Sequence, residues 1–210
     1  MDWAARADAA IERYRGGEVR GLDQRQLTQL GNAAWAAGVC LLMAGRAEEA
    51  GEWLRRAAAR YRESWEDAPP EAWGRPIGAM KALLLAGDDA SPAATWALDA
   101  GAAEAPTPVG RYAAALALLV LGRDGDARRV ASTLRDRDDF PRDVADALTT
   151  IAAGDRAGYL VAAEDVLESF ESRADFLEDV PVADTVLVLQ FLAEQRDLAV
   201  DLPPSDRLPN

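Results

Sequence analysis

The stretch Gly45-Arg46-Ala47-Glu48-Glu49-Ala50 decides the fold, because it separates two segments of helical periodicity. Apolar residues recur every three or four positions over residues 27–42 before it and over residues 50–61 after it. Glycine accepts the left-handed conformation that closes a helix, and acidic residues favour the start of the next helix. The stretch therefore predicts a tight turn between two antiparallel helices.

Three later stretches resemble this turn. They begin at Gly87-Asp88-Asp89, Gly122-Arg123-Asp124 and Gly154-Asp155-Arg156, and the four glycines are 42, 35 and 32 residues apart. Such intervals are typical of repeated helical pairs. The chain is rich in Ala, Leu and Arg and shows no sustained period of two, so it predicts an all-α protein of about ten helices.

Other helix starts can be read from capping residues. Asp23 with Gln26 forms a capping box, and Ser91-Pro92 and Thr107-Pro108 each combine a capping hydroxyl with a proline at the first helical position. Residues 112–121 are apolar on nearly every side, which predicts a central helix. Pro181 is predicted to open the last helix. Residues 1–200 then form a single helical-repeat domain, and residues 201–210 form an irregular tail.

Residues 34–57 resemble a tetratricopeptide repeat. The positions that carry the resemblance are the small residues of the two helices, the turn glycine and the apolar residues that follow: Gly38, Gly45, Ala50, Leu54 and Ala57. The resemblance implies antiparallel hairpins stacked as an irregular superhelix. The shortening glycine intervals favour instead a compact α-α bundle, and both arrangements stay open at this point.

The C-terminal third resembles the immunity-protein 49 family. The order that carries the resemblance is Gly154-Asp155, an amphipathic helix, Val180-Pro181 before an apolar helix, and a closing Leu208-Pro209. Members of that family are helical proteins that protect bacteria from a toxin. The resemblance therefore implies, as an alternative function, an immunity protein that neutralises a cognate toxin.

The charge of the chain limits its partners. Asp and Glu number 36 against 23 basic residues, a net charge of −13, and Lys81 is the only lysine. Such a field repels phosphate backbones and anionic lipids, so neither nucleic acid nor a membrane surface is expected as a partner. The acidity is interpreted as a halophilic surface adaptation, with a docking surface for a basic partner as the alternative.

The residue inventory excludes several kinds of active site. With no histidine and only Cys40 as a thiol, the chain cannot form a Ser-His-Asp or Cys-His arrangement, a histidine metal site or a paired-cysteine site. It also lacks a GxxxxGK[ST] loop and a GxGxxG loop after a strand. We therefore expect no enzyme activity, no cofactor and no bound metal.

Carboxylates are the remaining candidates for chemistry. Asp88-Asp89, Asp124 with Asp126, and residues 136–139 lie at helix boundaries, where acids complement the helix dipole. Asp184 is interpreted in the same way, as a first-turn acid. A carboxylate- and metal-dependent enzyme is the competing hypothesis.

The chain shows no targeting or spanning segment. Its first residues, Met1-Asp2-Trp3, lack a basic and then apolar leader, and no apolar stretch reaches the length of a membrane span. Cys40 lies in an apolar run, which predicts a buried thiol, and a single cysteine favours a reducing compartment. A cytoplasmic location is expected.

A candidate binding groove lies in the first half, which contains all six tryptophans. Asn32 and Trp35 are one helical turn apart and are expected to line the groove with Trp73 and Arg75. Aromatic residues and arginine are the types that anchor interfaces. The leading hypothesis is a non-catalytic protein–protein interaction module with an unidentified protein partner. A homodimer through the apolar last helix is a further possibility.

Overall fold

The computed structural model describes residues 1–209 and consists of α-helices joined by short turns. The helices are α1 (Trp3–Gly17), α2 (Gln24–Met43), α3 (Ala47–Glu63), α4 (Gly74–Leu85), α5 (Ser91–Asp99), α6 (Pro108–Val120), α7 (Asp124–Arg135), α8 (Arg142–Ala153), α9 (Arg156–Ser172) and α10 (Asp184–Glu194). Two 3-10 turns lie at Ala102–Glu104 and Leu177–Asp179. No strand occurs within residues 1–209, so the predicted all-α class of about ten helices is confirmed.

The four glycine turns share one backbone geometry. Gly45, Gly87, Gly122 and Gly154 have φ values of 73°, 72°, 67° and 67°. In each turn the residue after the glycine donates its amide to the carbonyl five residues before it, at 2.8–3.0 Å. This hydrogen bond satisfies a carbonyl that the helix leaves free, and the left-handed glycine makes it possible. The prediction from Gly45 and its three counterparts is confirmed.

A fifth turn of this kind has no glycine. The amide of Leu198 donates to the carbonyl of Ala193 at 2.9 Å, and Asp197 between them has a φ of 58°. The sequence did not predict this turn, because an aspartate is a much weaker signal for the left-handed conformation than a glycine. The Cβ of Asp197 makes the left-handed conformation higher in free energy than it would be for a glycine at this position.

Exchanging residues at two of these turns should change stability in opposite directions. Gly122→Ala is expected to destabilise the protein by about 1 to 2 kcal/mol, because the left-handed backbone strains any side chain. A Cβ at Gly122 would meet no atom within 4 Å, so packing adds nothing to this cost. Asp197→Gly should stabilise by about 1 kcal/mol. Urea denaturation measures both, and shifts of the same sign would contradict the explanation.

Helix starts agree with the sequence at some positions and differ at others. The capping box of Asp23 and Gln26 is present, and Thr107 caps α6 by accepting the Gly110 amide at 3.3 Å. The prediction for Ser91 is wrong, since Ser91 is the first helical residue and the Asp89 carboxylate accepts its amide at 2.9 Å. The Asp89 carboxylate therefore satisfies the amide of the first helical residue, and Ser91 lies inside the helix instead of capping it.

The last helix begins three residues later than Pro181 predicted. Residues 180–183 precede α10 without helical structure, and the Ala183 amide donates to the Arg207 carbonyl at 2.9 Å. The tail therefore provides a partner for a backbone amide just before α10 that would otherwise be free. Residues 201–209 contain no helix, as predicted, and Asn210 lies outside the described residues.

Two helices form the centre of the molecule. All residues from 33 to 41 in α2 and from 113 to 119 in α6 are buried, which confirms the prediction of a central helix over residues 112–121. Each helix from α1 to α9 packs mainly on a helix that is adjacent to it along the chain. Within residues 1–209, no helix combines the length and the apolar character needed to pass through a bilayer.

The last helix departs from this sequential order. Helix α10 packs on α4 as well as on α8 and α9. Lys81 of α4 donates to the Thr185 hydroxyl of α10 at 3.0 Å, across a separation of 104 residues. At the other end of α10, Arg196 holds the Asp124 carboxylate and the Leu119 carbonyl, both at 2.6 Å. The array of hairpins is therefore closed by its last helix.

Candidate functional site

A cavity of about 400 Å³ lies where α10 meets the first half of the chain. Its walls come from α2, from the first turns of α4, from Asp184 at the start of α10 and from Leu177 in the 3-10 turn before α10. We call it the α2/α4 cavity. Leu177 is 49% exposed, so the wall contains one large apolar side chain that is open to solvent.

Tyr61 of α3 sets the width of the cavity. Its ring lies between two glycines, and a Cβ on Gly31 of α2 or on Gly78 of α4 would come within 2.8 or 2.7 Å of the ring carbons. The phenol therefore fills a slot that only glycine leaves open on both helices. Its hydroxyl donates to Asn32 Oδ1 at 2.9 Å, and burial, with help from Asp184 and Glu178, raises its pKa well above the ordinary value.

The only lysine of the chain forms an ion pair in this cavity. Lys81 Nζ lies 2.5 Å from Asp184 Oδ2, and the two side chains are 12% and 13% exposed. Burial is the largest single effect on the pKa of Lys81 and lowers it, but the charge and hydrogen bond of Asp184 together with Tyr112 outweigh burial, so the pKa is raised. Lys81 is therefore a charged ammonium at neutral pH and is not available as a nucleophile or a base.

Arg75 is a buried arginine that has only neutral partners. It is 8% exposed, and no carboxylate within residues 1–209 lies within 4.0 Å of its guanidinium. Nε donates to Ser64 Oγ at 2.8 Å and to Thr28 Oγ1 at 3.2 Å, and Nη2 donates to Gln24 Oε1. Burial lowers its pKa, although arginine remains charged in proteins. A positive charge is thus held in a fixed orientation without a compensating negative charge.

The structure brings three of the four predicted groove residues together. Asn32, Trp35 and Arg75 all line the α2/α4 cavity, and Trp35 is 5% exposed. Asn32 and Trp35 lie one turn apart on α2, as their spacing predicted, and Arg75 lies at the start of the neighbouring helix α4.

Trp73, the fourth, belongs to a different part of the molecule. Its indole N–H donates to Glu71 Oε2 at 2.8 Å, and its ring packs on Trp65 at a centroid distance of 5.8 Å. Glu71 also accepts from the Thr107 hydroxyl at 2.6 Å, which lowers its pKa together with the Trp73 contact. Trp73 therefore links α4 to the start of α6 and does not line the cavity.

Lys81, Asp184 and Leu177 are among the cavity residues that were not predicted from the sequence. Lys81 gave a usable signal, since it is one lysine among 22 arginines, but its partner Asp184 was interpreted only as a first-turn acid. Asp184 is the first residue of α10, as that interpretation expects, and it also pairs with Lys81. Leu177 gave no signal, because its place depends on how the chain returns to α2.

Several of the other carboxylates at helix boundaries form ion pairs with arginines. Asp88 pairs with Arg55, Asp126 with Arg123 and Arg129, and Asp139 with Arg137, each at 2.6–2.7 Å. Within residues 1–209, no group of three or more Asp, Glu, Cys or His side chains has the arrangement of a metal site.

Cys40 lies outside the α2/α4 cavity, in the interior of α2. It is 0% exposed, and burial raises the pKa of its thiol to about 11. The prediction of a buried structural thiol is confirmed. Comparisons with protein-family models, with curated proteins and with solved structures give no match to this chain.

Proposed function

We propose that this protein is a non-catalytic helical binding module that holds a segment of a partner protein in the α2/α4 cavity. The observation that carries the proposal is the convergence of Asn32, Trp35 and Arg75 on one cavity. Tryptophan and arginine in a pocket are the residues that most often provide binding energy at protein interfaces. Exposed Leu177 at the same place adds apolar area that a partner would cover.

The hydrogen-bonding state of the cavity supports binding more than catalysis. Asn32 uses its carbonyl oxygen for Tyr61 and keeps its amide N–H groups free, and Arg75 keeps Nη1 free. The ammonium of Lys81 is neutralised by Asp184. Donors are therefore present, while a poised nucleophile or general base is not.

Site-specific photo-crosslinking in the native cells tests the proposal. A photoreactive amino acid at Leu177, which lines the cavity, is compared with the same residue at Val161 of α9, which is 58% exposed and lies elsewhere. We expect a discrete crosslinked protein from position 177 alone. After purification, the crosslinked partner should bind the wild-type protein at one-to-one stoichiometry. Asn32→Ala should weaken this binding about tenfold, because one hydrogen bond to the partner is lost.

The identity of the crosslinked product separates the alternatives. A second copy of this chain would indicate the homodimer, and a toxin would indicate the immunity function suggested by the C-terminal resemblance. No product at position 177, or the same products from both positions, would contradict the proposal.

A further inference from the structure

We propose that the group held in the α2/α4 cavity carries a carboxylate on an apolar body, and that Arg75 is the residue that binds this carboxylate. The inference rests on the proposed function in one respect, which is that the binding site is the α2/α4 cavity. It adds the chemical class of the bound group, which the fold does not require.

The first argument is the unbalanced charge of Arg75. An arginine that is more than nine-tenths buried normally has a carboxylate partner, because removing a charge from water is costly. The neighbouring buried cation shows the usual solution, since Lys81 lies 2.5 Å from Asp184. Arg75 has no such partner within residues 1–209, and an anionic ligand would supply it.

The second argument is that the guanidinium is held ready for a ligand. Ser64 donates its hydroxyl to the Tyr61 carbonyl at 2.9 Å, and Thr28 donates its hydroxyl to the Gln24 carbonyl at 2.8 Å, so both oxygens are turned to accept from Arg75 Nε. Nη2 is held by Gln24. This leaves both N–H groups of Nη1 and one of Nη2 as free donors. Because three hydrogen bonds already hold the side chain, little conformational entropy is lost when a carboxylate binds.

The third argument is the uncompensated start of α4. Arg75 is the second residue of this helix, which has no acidic residue in its first turn and no side-chain cap at Trp73. Its positive end therefore borders the cavity through Gly74 and Ile77. The beginning of α10 is different, because Asp184 lies there. The dipole of α4 and the guanidinium act together on a ligand anion.

The surroundings select a monoanion with an apolar body. Trp35, Tyr61 and Ile77 provide apolar walls, and about 400 Å³ suits a group the size of an aromatic side chain. One positive charge is unbalanced in the cavity, whereas the whole chain carries a net charge of −13. A doubly charged phosphate would be repelled more strongly by that field than a monoanion, so a single carboxylate is the better match.

The sole lysine provides the measurement. Protein made with nitrogen-15-labelled lysine has one side-chain signal, from Lys81 in the cavity wall, and its shift reports occupancy. The probes are 3-phenylpropionate and its uncharged amide. We expect the acid to bind about 10- to 100-fold more tightly than the amide, as a charge-assisted hydrogen bond requires. Inorganic phosphate at the same concentration should not displace it.

Variants identify Arg75 as the origin of this preference. Arg75→Gln should abolish the difference between acid and amide, and Arg75→Lys should retain part of it. Arg128→Gln, which removes an exposed arginine of α7, is the control and should bind like the wild type. If Arg75→Gln fails to fold, the comparison of acid and amide on the wild type still decides the question.

The source of the carboxylate is distinguished by a second pair of probes, the peptides acetyl-Phe-Glu-Phe-amide and acetyl-Phe-Gln-Phe-amide. A glutamate preference larger than that for the free acid indicates an acidic side chain of a partner protein, and a preference confined to the free acid indicates a small organic acid.

Equal binding of acid and amide, no binding of either acid, or displacement by phosphate overturns the inference. A crosslink at Leu177 without carboxylate preference would leave the proposed function standing and this inference wrong.

Discussion

Asp184→Asn is expected to destabilise the protein by about 3 to 5 kcal/mol, the usual cost of leaving a buried charge without its partner. The variant keeps the size of the side chain but leaves the Lys81 ammonium uncompensated at 12% exposure. It also removes the acid from the start of α10, which adds a smaller loss. Urea denaturation at neutral pH, with the slope checked for two-state behaviour, measures the difference.

The double variant Lys81→Met/Asp184→Asn is the matched control for this prediction. Removing both charges should restore most of the lost stability, since a buried ion pair and an apolar replacement often differ little. Asp139→Asn, at the exposed pair with Arg137, should change stability only slightly. If the double variant were as unstable as the single one, the unpaired ammonium would not be the cause of the loss.

The effect of Asp184→Asn should also depend on pH. The pKa of Lys81 is raised above its ordinary value of 10.5 in the folded protein. The stabilisation from the ion pair is therefore complete from neutral pH up to pH 10.5 and is lost as the pH rises further, through the folded-state pKa of Lys81. The difference between wild type and variant should narrow in alkaline solution.

Tyr61→Ala is the second substitution with a large expected effect, a loss of about 3 to 5 kcal/mol. Tyr61 is 4% exposed and fills the slot between Gly31 and Gly78, so its removal leaves a void between α2 and α4. Tyr61→Phe should cost only about 1 kcal/mol, because it loses the hydrogen bond to Asn32 and keeps the ring. Thermal and urea denaturation distinguish the two variants.

A second substitution shows whether the slot is the reason. In the wild type, Gly78→Ala should destabilise, since its Cβ would lie 2.7 Å from the ring. In the Tyr61→Ala background the same change should stabilise by about 1 kcal/mol, because alanine favours a helix over glycine. Additive effects of the two substitutions would show that the ring and Gly78 do not constrain each other.

The features that the sequence predicted are those set by local chemistry. Gly45 and its three counterparts predict their turns, because each turn needs a left-handed residue and glycine is the residue type that adopts this conformation most readily. Asp197 has the same left-handed backbone without being a glycine, so the sequence pattern did not predict its turn. The prediction of Ser91 as a cap is wrong, because the residue types do not specify whether the helix begins before or after Ser91, and Asp89 lies close enough to accept its amide.

The candidate site could be predicted only in part for a related reason. Asn32 and Trp35 share a helix face by their spacing, and Arg75 lies on the adjacent helix. Trp73 is two residues from Arg75, a spacing that places side chains on different sides of a helix. The partnership of Lys81 with Asp184 joins residues more than a hundred positions apart and depends on how α10 returns to α4. The sequence pattern of α4 or of α10 alone does not predict that Lys81 and Asp184 form a pair.

The return of α10 also determines the order in which the molecule should assemble. Hairpins of consecutive helices form from local contacts, whereas the pairing of α10 with α4 requires closure of a long loop and comes late. The free energy of local opening differs between the elements of a folded protein, and we expect α10 to open at a lower cost than the central helices α2 and α6. The cavity would then lose its α10 wall while α2 and α4 stay folded, so a ligand could enter through a partial opening that leaves the central helices intact.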